Sequence, residues 1–146
     1  MRHRLAVLAP ALVLLALAGC GTETGDLPGG DSRQPYAGIA EAERLRFTGT
    51  EPFWGGHVAG GTLVYSTPEN QDGAAIAVER FAGRGGVSWT GTLDGAPLVL
   101  AASDQPCSDG MSDRTYPFTV MLEVRGETRA GCGWTAARPH TGSPAR

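Results

Sequence analysis

Residues 116–134 read YPFTVMLEVRGETRAGCGW and carry the clearest structural pattern in the chain. Apolar side chains occupy every second position from 118 to 124, which predicts a strand with one buried and one exposed face. Arg125-Gly126-Glu127 predicts a tight turn, after which residues 128–134 return as a second strand. This part of the chain therefore predicts an antiparallel hairpin.

Shorter apolar runs precede this hairpin and are separated by glycine, proline, aspartate or asparagine. Each run is too short for a helix, and no segment from residue 21 onward shows sustained helical spacing. Asp94-Gly95 predicts a second hairpin. We therefore predict an all-β fold, a single small antiparallel barrel of about seven or eight short strands. The runs cover residues 45–47, 53–54, 62–65, 74–78, 87–90 and 97–101.

The N-terminus has the organisation of a bacterial lipoprotein signal. A basic start is followed by an uncharged apolar run of about 14 residues, and Ala18-Gly19 stand directly before Cys20. The run is shorter than the roughly 20 residues that span a bilayer as a helix. We predict a signal peptide over residues 1–19 and acyl chains such as palmitate on Cys20. The alternative is a plain secretory signal with an incidental cysteine.

Composition divides the rest of the chain into three parts. Residues 20–40 are rich in glycine, proline, threonine and aspartate, which predicts a lipidated flexible tether. Residues 41–135 form the predicted β-domain, and its first six residues either wind a helical turn or lead directly into the first strand. Residues 136–146 contain two prolines and no apolar anchor, which predicts a disordered tail.

The charge balance limits the classes of partner. The chain has 12 basic residues against 15 acidic ones, and loss of Arg2 and Arg4 with the signal makes it more acidic. Nucleic acid is excluded as a partner because no basic stripe is present. No polybasic patch is available for lipid headgroups either, so membrane attachment depends on Cys20. We predict an exported, lipid-anchored envelope protein, in the outer membrane where two membranes exist.

Cys107 and Cys132 remain as an even pair once Cys20 is lipidated. An exported protein lies in a compartment that permits oxidation, so we predict a disulfide between them. A thiolate metal site is the alternative, but it needs further ligands that the three histidines hardly supply. A reactive redox pair is a second alternative, which the separation of 25 positions disfavours.

Two segments have the highest density of chemically useful side chains. In the first, residues 49–55, the candidate ligand-binding residues are Glu51, Phe53 and Trp54. They form either an aromatic plug beside a capping carboxylate, or an aromatic floor with a carboxylate that holds a ligand.

The second segment, residues 104–117, contributes the candidates Asp109, Met111 and Asp113. Asp109-Gly110 suits a turn in which side chains bind local backbone N–H groups. A calcium loop would end in a bidentate glutamate, which is missing here. We predict no metal and no cofactor.

These segments together resemble a group of small uncharacterised bacterial envelope lipoproteins and membrane proteins. The shared motifs are GTEPFW at residues 49–54, C-x-DGMSD-x-x-YP at 107–117 and a closing GC at 131–132. The resemblance implies an exported β-domain with bridged cysteines, and it implies no reaction. A weaker similarity, at the level of fold alone, is to lipocalin-type carriers and periplasmic lysozyme inhibitors.

The sequence favours a non-catalytic binding or structural module, because no Ser-His-Asp, Cys-His or phosphate-binding motif is present. Its expected partner is an envelope protein or a small ligand. One alternative is an envelope glycan hydrolase that uses Glu51 with Asp109 or Asp113, which requires the carboxylates to face each other across an open cleft. The other is an enzyme inhibitor with anchor residues such as Met111 and Tyr116 on an exposed loop.

Overall fold

A computed structural model describes residues 34–144 of the chain. This part contains ten β-strands, and none of it forms a helix of the length and hydropathy needed to cross a membrane. The strands are β1 (Leu45–Thr50), β2 (Phe53–Ala59), β3 (Thr62–Thr67), β4 (Asn70–Ala82), β5 (Gly86–Leu93), β6 (Ala96–Ser103), β7 (Cys107–Ser108), β8 (Thr115–Tyr116), β9 (Phe118–Val124) and β10 (Glu127–Trp134).

Eight strands close into an antiparallel barrel in the order β1-β10-β9-β6-β5-β4-β3-β2. The predicted all-β barrel is confirmed, and each predicted apolar run lies in one of its strands. The additional hairpin β7–β8 forms a separate two-stranded sheet that the sequence did not predict.

Both predicted hairpins are confirmed. Leu93 pairs with Ala96, and Val124 pairs with Glu127, so each connection has two residues. All four turn residues have positive φ, at 52° and 80° for Asp94-Gly95 and at 53° and 80° for Arg125-Gly126. Turns of this kind match the right-handed twist of the strands that they join.

The barrel interior is filled by side chains from alternate strand positions, as expected for eight strands. The alternation predicted for residues 118–124 is observed: Phe118, Val120 and Leu122 are fully buried, whereas Met121 is exposed. The largest fully buried side chains on the other strands are Leu45, Phe47, Val58, Leu63, Leu98 and Leu100.

The indole of Trp54 occupies the interior beside two glycines. Trp54 is paired with Gly49 across β1 and β2, and its ring packs against Phe47 with centroids 5.7 Å apart. A methyl group at Gly49 would overlap the indole, and one at Gly131 would overlap both the indole and the carbonyl of Thr48. The glycines of the GTEPFW and GC motifs therefore provide the space that the tryptophan fills.

The end of the predicted tether belongs to the domain, which corrects the boundary at residue 41. Tyr36 donates its backbone N–H to the carbonyl of Gly83 at 2.7 Å, and Ile39 is fully buried in the core. Residues 41–43 form a turn that leads into β1. The sequence pattern missed this part because single apolar residues anchor it. Residues 1–33, with the predicted signal peptide, Cys20 and most of the tether, lie outside the described residues.

The predicted disorder of residues 136–146 is also wrong as far as residue 144. Arg138 binds both carboxylate oxygens of Asp104 at 2.7 and 2.8 Å, and its guanidinium lies 4.5 Å from the ring centroid of Phe118. Thr141 forms two backbone hydrogen bonds with Thr115. An arginine over an aromatic ring and a single β-bridge hold this segment, and neither requires apolar periodicity.

Candidate functional site

One end of the barrel is open. The four turns at this end, residues 51–52, 68–69, 94–95 and 125–126, surround a cavity of about 680 Å³, which we call the mouth. This volume lies in the range of small-molecule sites. The other end is covered by Tyr36, Ile39 and Arg138, which approach from the two terminal segments.

Much of the mouth is lined by apolar side chains. Phe53 begins β2 at the rim and remains 56% exposed, and it borders both the mouth and a smaller cavity beside Thr48. Leu93 and Val124 contribute from the ends of β5 and β9, where the inward-facing row of each strand reaches the opening. The remaining apolar lining residues are Pro52, Pro68 and Ala74.

The polar lining of the mouth includes a buried tyrosine, Tyr65, and a half-buried arginine, Arg129. Tyr65 is only 7% exposed, and the side chain of Arg129 is 19% exposed. Arg129 donates through Nη1 to the Tyr65 hydroxyl at 2.6 Å and through Nη2 to Glu127 at 2.7 Å. The hydrogen bond to Glu127 is the main reason why the pKa of Arg129 is raised, so the guanidinium stays charged.

The rim of the mouth carries solvated charges of both signs. Asp94 and Arg125 form an ion pair that joins the two hairpin turns, and both side chains are largely exposed. Glu69 also lines the cavity, and hydrogen bonds with its own backbone and with Thr67 lower its pKa. Exposed pairs of this kind contribute little to stability, so their charges remain available to solvent and solutes.

The first group of candidate residues is divided among three environments. Phe53 lines the mouth, whereas Trp54 is buried in the core and its indole N–H has no hydrogen-bond partner among the described residues. Glu51 is exposed in the β1–β2 turn. The three side chains therefore do not converge on one ligand position.

In the second group, Asp109 organises its own turn. Its carboxylate accepts hydrogen bonds from the backbone N–H groups of Met111 and Ser112 at 3.0 and 2.9 Å, from the Ser112 hydroxyl at 2.7 Å and from the Tyr116 hydroxyl at 3.2 Å. These bonds, with that from Met111 as the largest cause, lower the pKa of Asp109 to about 2. Met111 is 55% exposed, and Asp113 is also exposed.

The predicted disulfide between Cys107 and Cys132 is present, with Cα atoms 5.5 Å apart. It fastens hairpin β7–β8 to the outer face of β10. Beside it, the ring of Tyr116 packs against Trp134 and His140, with centroids 5.4 and 5.2 Å away. The disulfide and these ring contacts therefore hold the aspartate-rich loop against the outer wall of the barrel.

The two groups of candidates lie in different parts of the barrel. Glu51 is at the open end, whereas Asp109 and Asp113 belong to the connection that leaves β6 and enters β9 at the other end. Neither the mouth nor the two smaller cavities beside Pro97 and Thr48 is lined by Glu51 or by either aspartate. No three His, Cys, Asp or Glu side chains between residues 34 and 144 are grouped to hold a metal ion.

Sequence reasoning missed Tyr65 and Arg129, although a signal for Arg129 was present. A two-residue turn at Arg125-Gly126 pairs Leu122 with Arg129, and Leu122 belongs to the inward-facing row. A charged residue at an inward position of a barrel strand indicates a polar site. Tyr65 gives no such signal, because an inward tyrosine near a strand end is equally typical of a core.

The hydrogen bonds of Asp109 predict a pH-dependent contribution to stability. Asp109→Asn is expected to have a lower Tm than the wild type at pH 7, with the gap narrowing as pH falls from about 4 towards 2. A lowered pKa stabilises the fold above the pKa of the unfolded chain and loses this effect as the folded-state carboxylate is protonated. Thermal melts between pH 7 and pH 2 measure the gap.

Asp113→Asn is the matched control for this prediction, because Asp113 is an exposed aspartate of the same loop. Its Tm should follow that of the wild type across the pH range. A gap for Asp109→Asn that stays constant down to pH 2 would contradict the prediction.

Comparisons with protein-family models, with curated proteins and with solved structures found no match to this chain. A function is therefore inferred from the residues and the geometry of the mouth.

Proposed function

We propose that this protein is a lipid-anchored, non-catalytic binding module of the cell envelope that takes a small ligand into the mouth. The observation that carries the proposal is the cavity of about 680 Å³ whose lining includes the hydrogen-bonded pair Tyr65 and Arg129. A concave, partly apolar site with a few convergent polar groups is the usual form of a small-molecule site.

The location in the envelope is supported by the sequence. Ala18-Gly19 before Cys20 indicates lipidation, and the motifs at residues 49–54 and 107–117 support membership of the envelope group that shares them. The Cys107–Cys132 disulfide agrees with an oxidising compartment. The lipid on Cys20 attaches the protein to the exported side of a membrane.

Binding is favoured over the two alternatives. A glycan hydrolase needs two carboxylates across a cleft, but Glu51 is remote along the topology from Asp109, whose oxygens are occupied by its own turn. An inhibitor that uses Met111 and Tyr116 as anchors is not supported either, because Tyr116 is buried against Trp134.

A bulky side chain introduced on the wall of the mouth tests the proposal, because it fills the cavity. Ala74 lines the cavity on β4, so Ala74→Phe should abolish saturable binding of the neutral fluorescent probe Nile red. The wild type should bind the probe with a blue-shifted emission, because the apolar wall around Phe53 excludes water from one side of it. Fluorescence titration of the full chain carrying Cys20→Ser gives both results.

Ala75→Phe is the matched control, since Ala75 is the next residue on β4 and is exposed on the outer face of the barrel. It should bind Nile red as the wild type does. The proposal is wrong if the wild type shows no saturable binding, or if Ala74→Phe and Ala75→Phe bind equally.

A further inference from the structure

We propose that the ligand of the mouth is a small amphipathic carboxylate, held at its charged end by Tyr65 and Arg129, with its apolar body against Phe53. This inference rests on the proposed function and specifies the ligand class of the same site. It follows from the hydrogen-bond inventory of the two polar residues, from the position of Glu127 and from the distribution of apolar side chains.

The polar residues offer donors to the cavity. The Tyr65 hydroxyl accepts a hydrogen bond from Arg129, so its own proton is free to donate, and it meets no acceptor among the described residues. Of the five N–H donors of Arg129, one on Nη1 and one on Nη2 are engaged and that of Nε is buried, which leaves one donor on each Nη atom. Spare donors beside a permanent positive charge are suited to an anionic acceptor, and a planar carboxylate matches the guanidinium geometry.

The carboxylate of Glu127 already occupies one position at which a ligand carboxylate could bind Arg129. Its side chain is 65% exposed, whereas that of its partner Arg129 is 19% exposed, so the acid reaches the guanidinium from the solvent side. An ion pair with one exposed partner is weak and exchanges readily with solvent. A ligand carboxylate can therefore replace that of Glu127 on Nη2 while also accepting from Tyr65. Glu127 acts as a competitor for the ligand.

The apolar side chains of the mouth indicate the chemistry of the rest of the ligand, outside its charged end. Phe53 stands at the rim, and Leu93 and Val124 lie beneath the hairpin turns, so an aliphatic or aromatic body contacts carbon on these sides. A cationic head group would be repelled by the positive charge of Arg129. An uncharged head group could not replace the charge of Glu127 on Nη2, so it would gain only the hydrogen bond from Tyr65.

Three probes of equal chain length separate these cases: octanoate, octan-1-ol and octylammonium. Titration calorimetry on the full chain carrying Cys20→Ser should show octanoate binding about tenfold tighter than octan-1-ol, the size expected for a hydrogen bond to a charged group. Octylammonium should bind weakest. Octanoate binding no tighter than octan-1-ol overturns the inference.

Two conservative variants test the residues without removing Arg129 from its partly buried position. Tyr65→Phe keeps the ring and should weaken octanoate about tenfold, with a smaller loss for octan-1-ol, because a bond to its neutral oxygen is weaker. Glu127→Gln removes the competing charge and should tighten octanoate binding. An octanoate affinity that is unaffected by Tyr65→Phe, or lowered by Glu127→Gln, overturns the assignment of these residues.

The outcomes separate this inference from the function on which it rests. If Nile red enters the wild type and is excluded by Ala74→Phe, the mouth is a binding site, whatever octanoate does. If octanoate then shows no preference over octan-1-ol, only the carboxylate assignment fails. If the wild type shows no saturable binding of Nile red, the function proposed for the mouth fails, and the carboxylate assignment fails with it.

Discussion

Replacing Cys107 and Cys132 together by alanine is expected to lower the Tm by about 12–24 °C. The bond joins residues 25 positions apart, and a loop of this length stabilises a fold by roughly 3 kcal/mol in the chain-entropy model. Such an amount is a large share of the net stability of a small domain. Circular dichroism melts of the variant, and of the wild type with and without reductant, measure the loss.

The same change should act first on hairpin β7–β8. Its strands have two residues each, and their buried side chain is that of Tyr116. Each barrel strand, in contrast, is hydrogen-bonded to a neighbouring strand on both sides. Amide exchange in residues 107–116 should therefore accelerate in the reduced protein before exchange in β9 or β10 does. An unchanged midpoint after reduction, or faster exchange in the barrel first, would contradict this prediction.

Gly49→Ala is expected to destabilise the domain by about 1–3 kcal/mol, as overpacking of a tight core usually does. The nearest atoms to a new Cβ at this position all belong to the indole of Trp54. The cost should therefore depend on that ring and fall sharply in a Trp54→Leu background. Denaturant unfolding of the four proteins of this double-mutant cycle gives the coupling free energy.

Gly85→Ala is the control for Gly49→Ala, because a Cβ at Gly85 meets no atom within 4 Å. It should change the free energy of unfolding by no more than about 0.5 kcal/mol. An equal cost for Gly49→Ala with and without the tryptophan would mean that backbone strain, and not the indole, explains the glycine.

The barrel itself could be predicted from local pattern. Alternation in residues 118–124 and the turns at Asp94-Gly95 and Arg125-Gly126 follow from the two-residue period of a strand and from positive-φ turn chemistry. Hairpin β7–β8 could not be predicted, since strands of two residues have no period. The contacts of Tyr36 and Arg138 could not be predicted from the sequence either, because each joins residues that are distant along the chain.

The candidate site was predicted less well than the fold, and chemical density was a poor guide to it. The aspartates of residues 104–117 form a cluster in the sequence, yet the Asp109 carboxylate is hydrogen-bonded to groups of its own loop. Trp54 fills a core position. One of the six candidate ligand-binding residues, Phe53, lines the mouth, and the other five do not. Tyr65 and Arg129 become neighbours only after β3 and β10 take their places in the closed barrel.

Closure of the sheet has a consequence for how identical copies of this chain meet. A sheet that closes on itself presents no free strand edge, so a second chain finds no unpaired row of N–H and C=O groups to extend. Within residues 34–144, unpaired strand edges remain on the short hairpin β7–β8, where Thr141 pairs with Thr115, and at the mouth ends of β4 and β10, beyond the pairs Val78–Gly91 and Thr48–Cys132. Over its paired length the folded barrel is therefore protected against edge-to-edge aggregation, and the mouth is where an additional strand could attach.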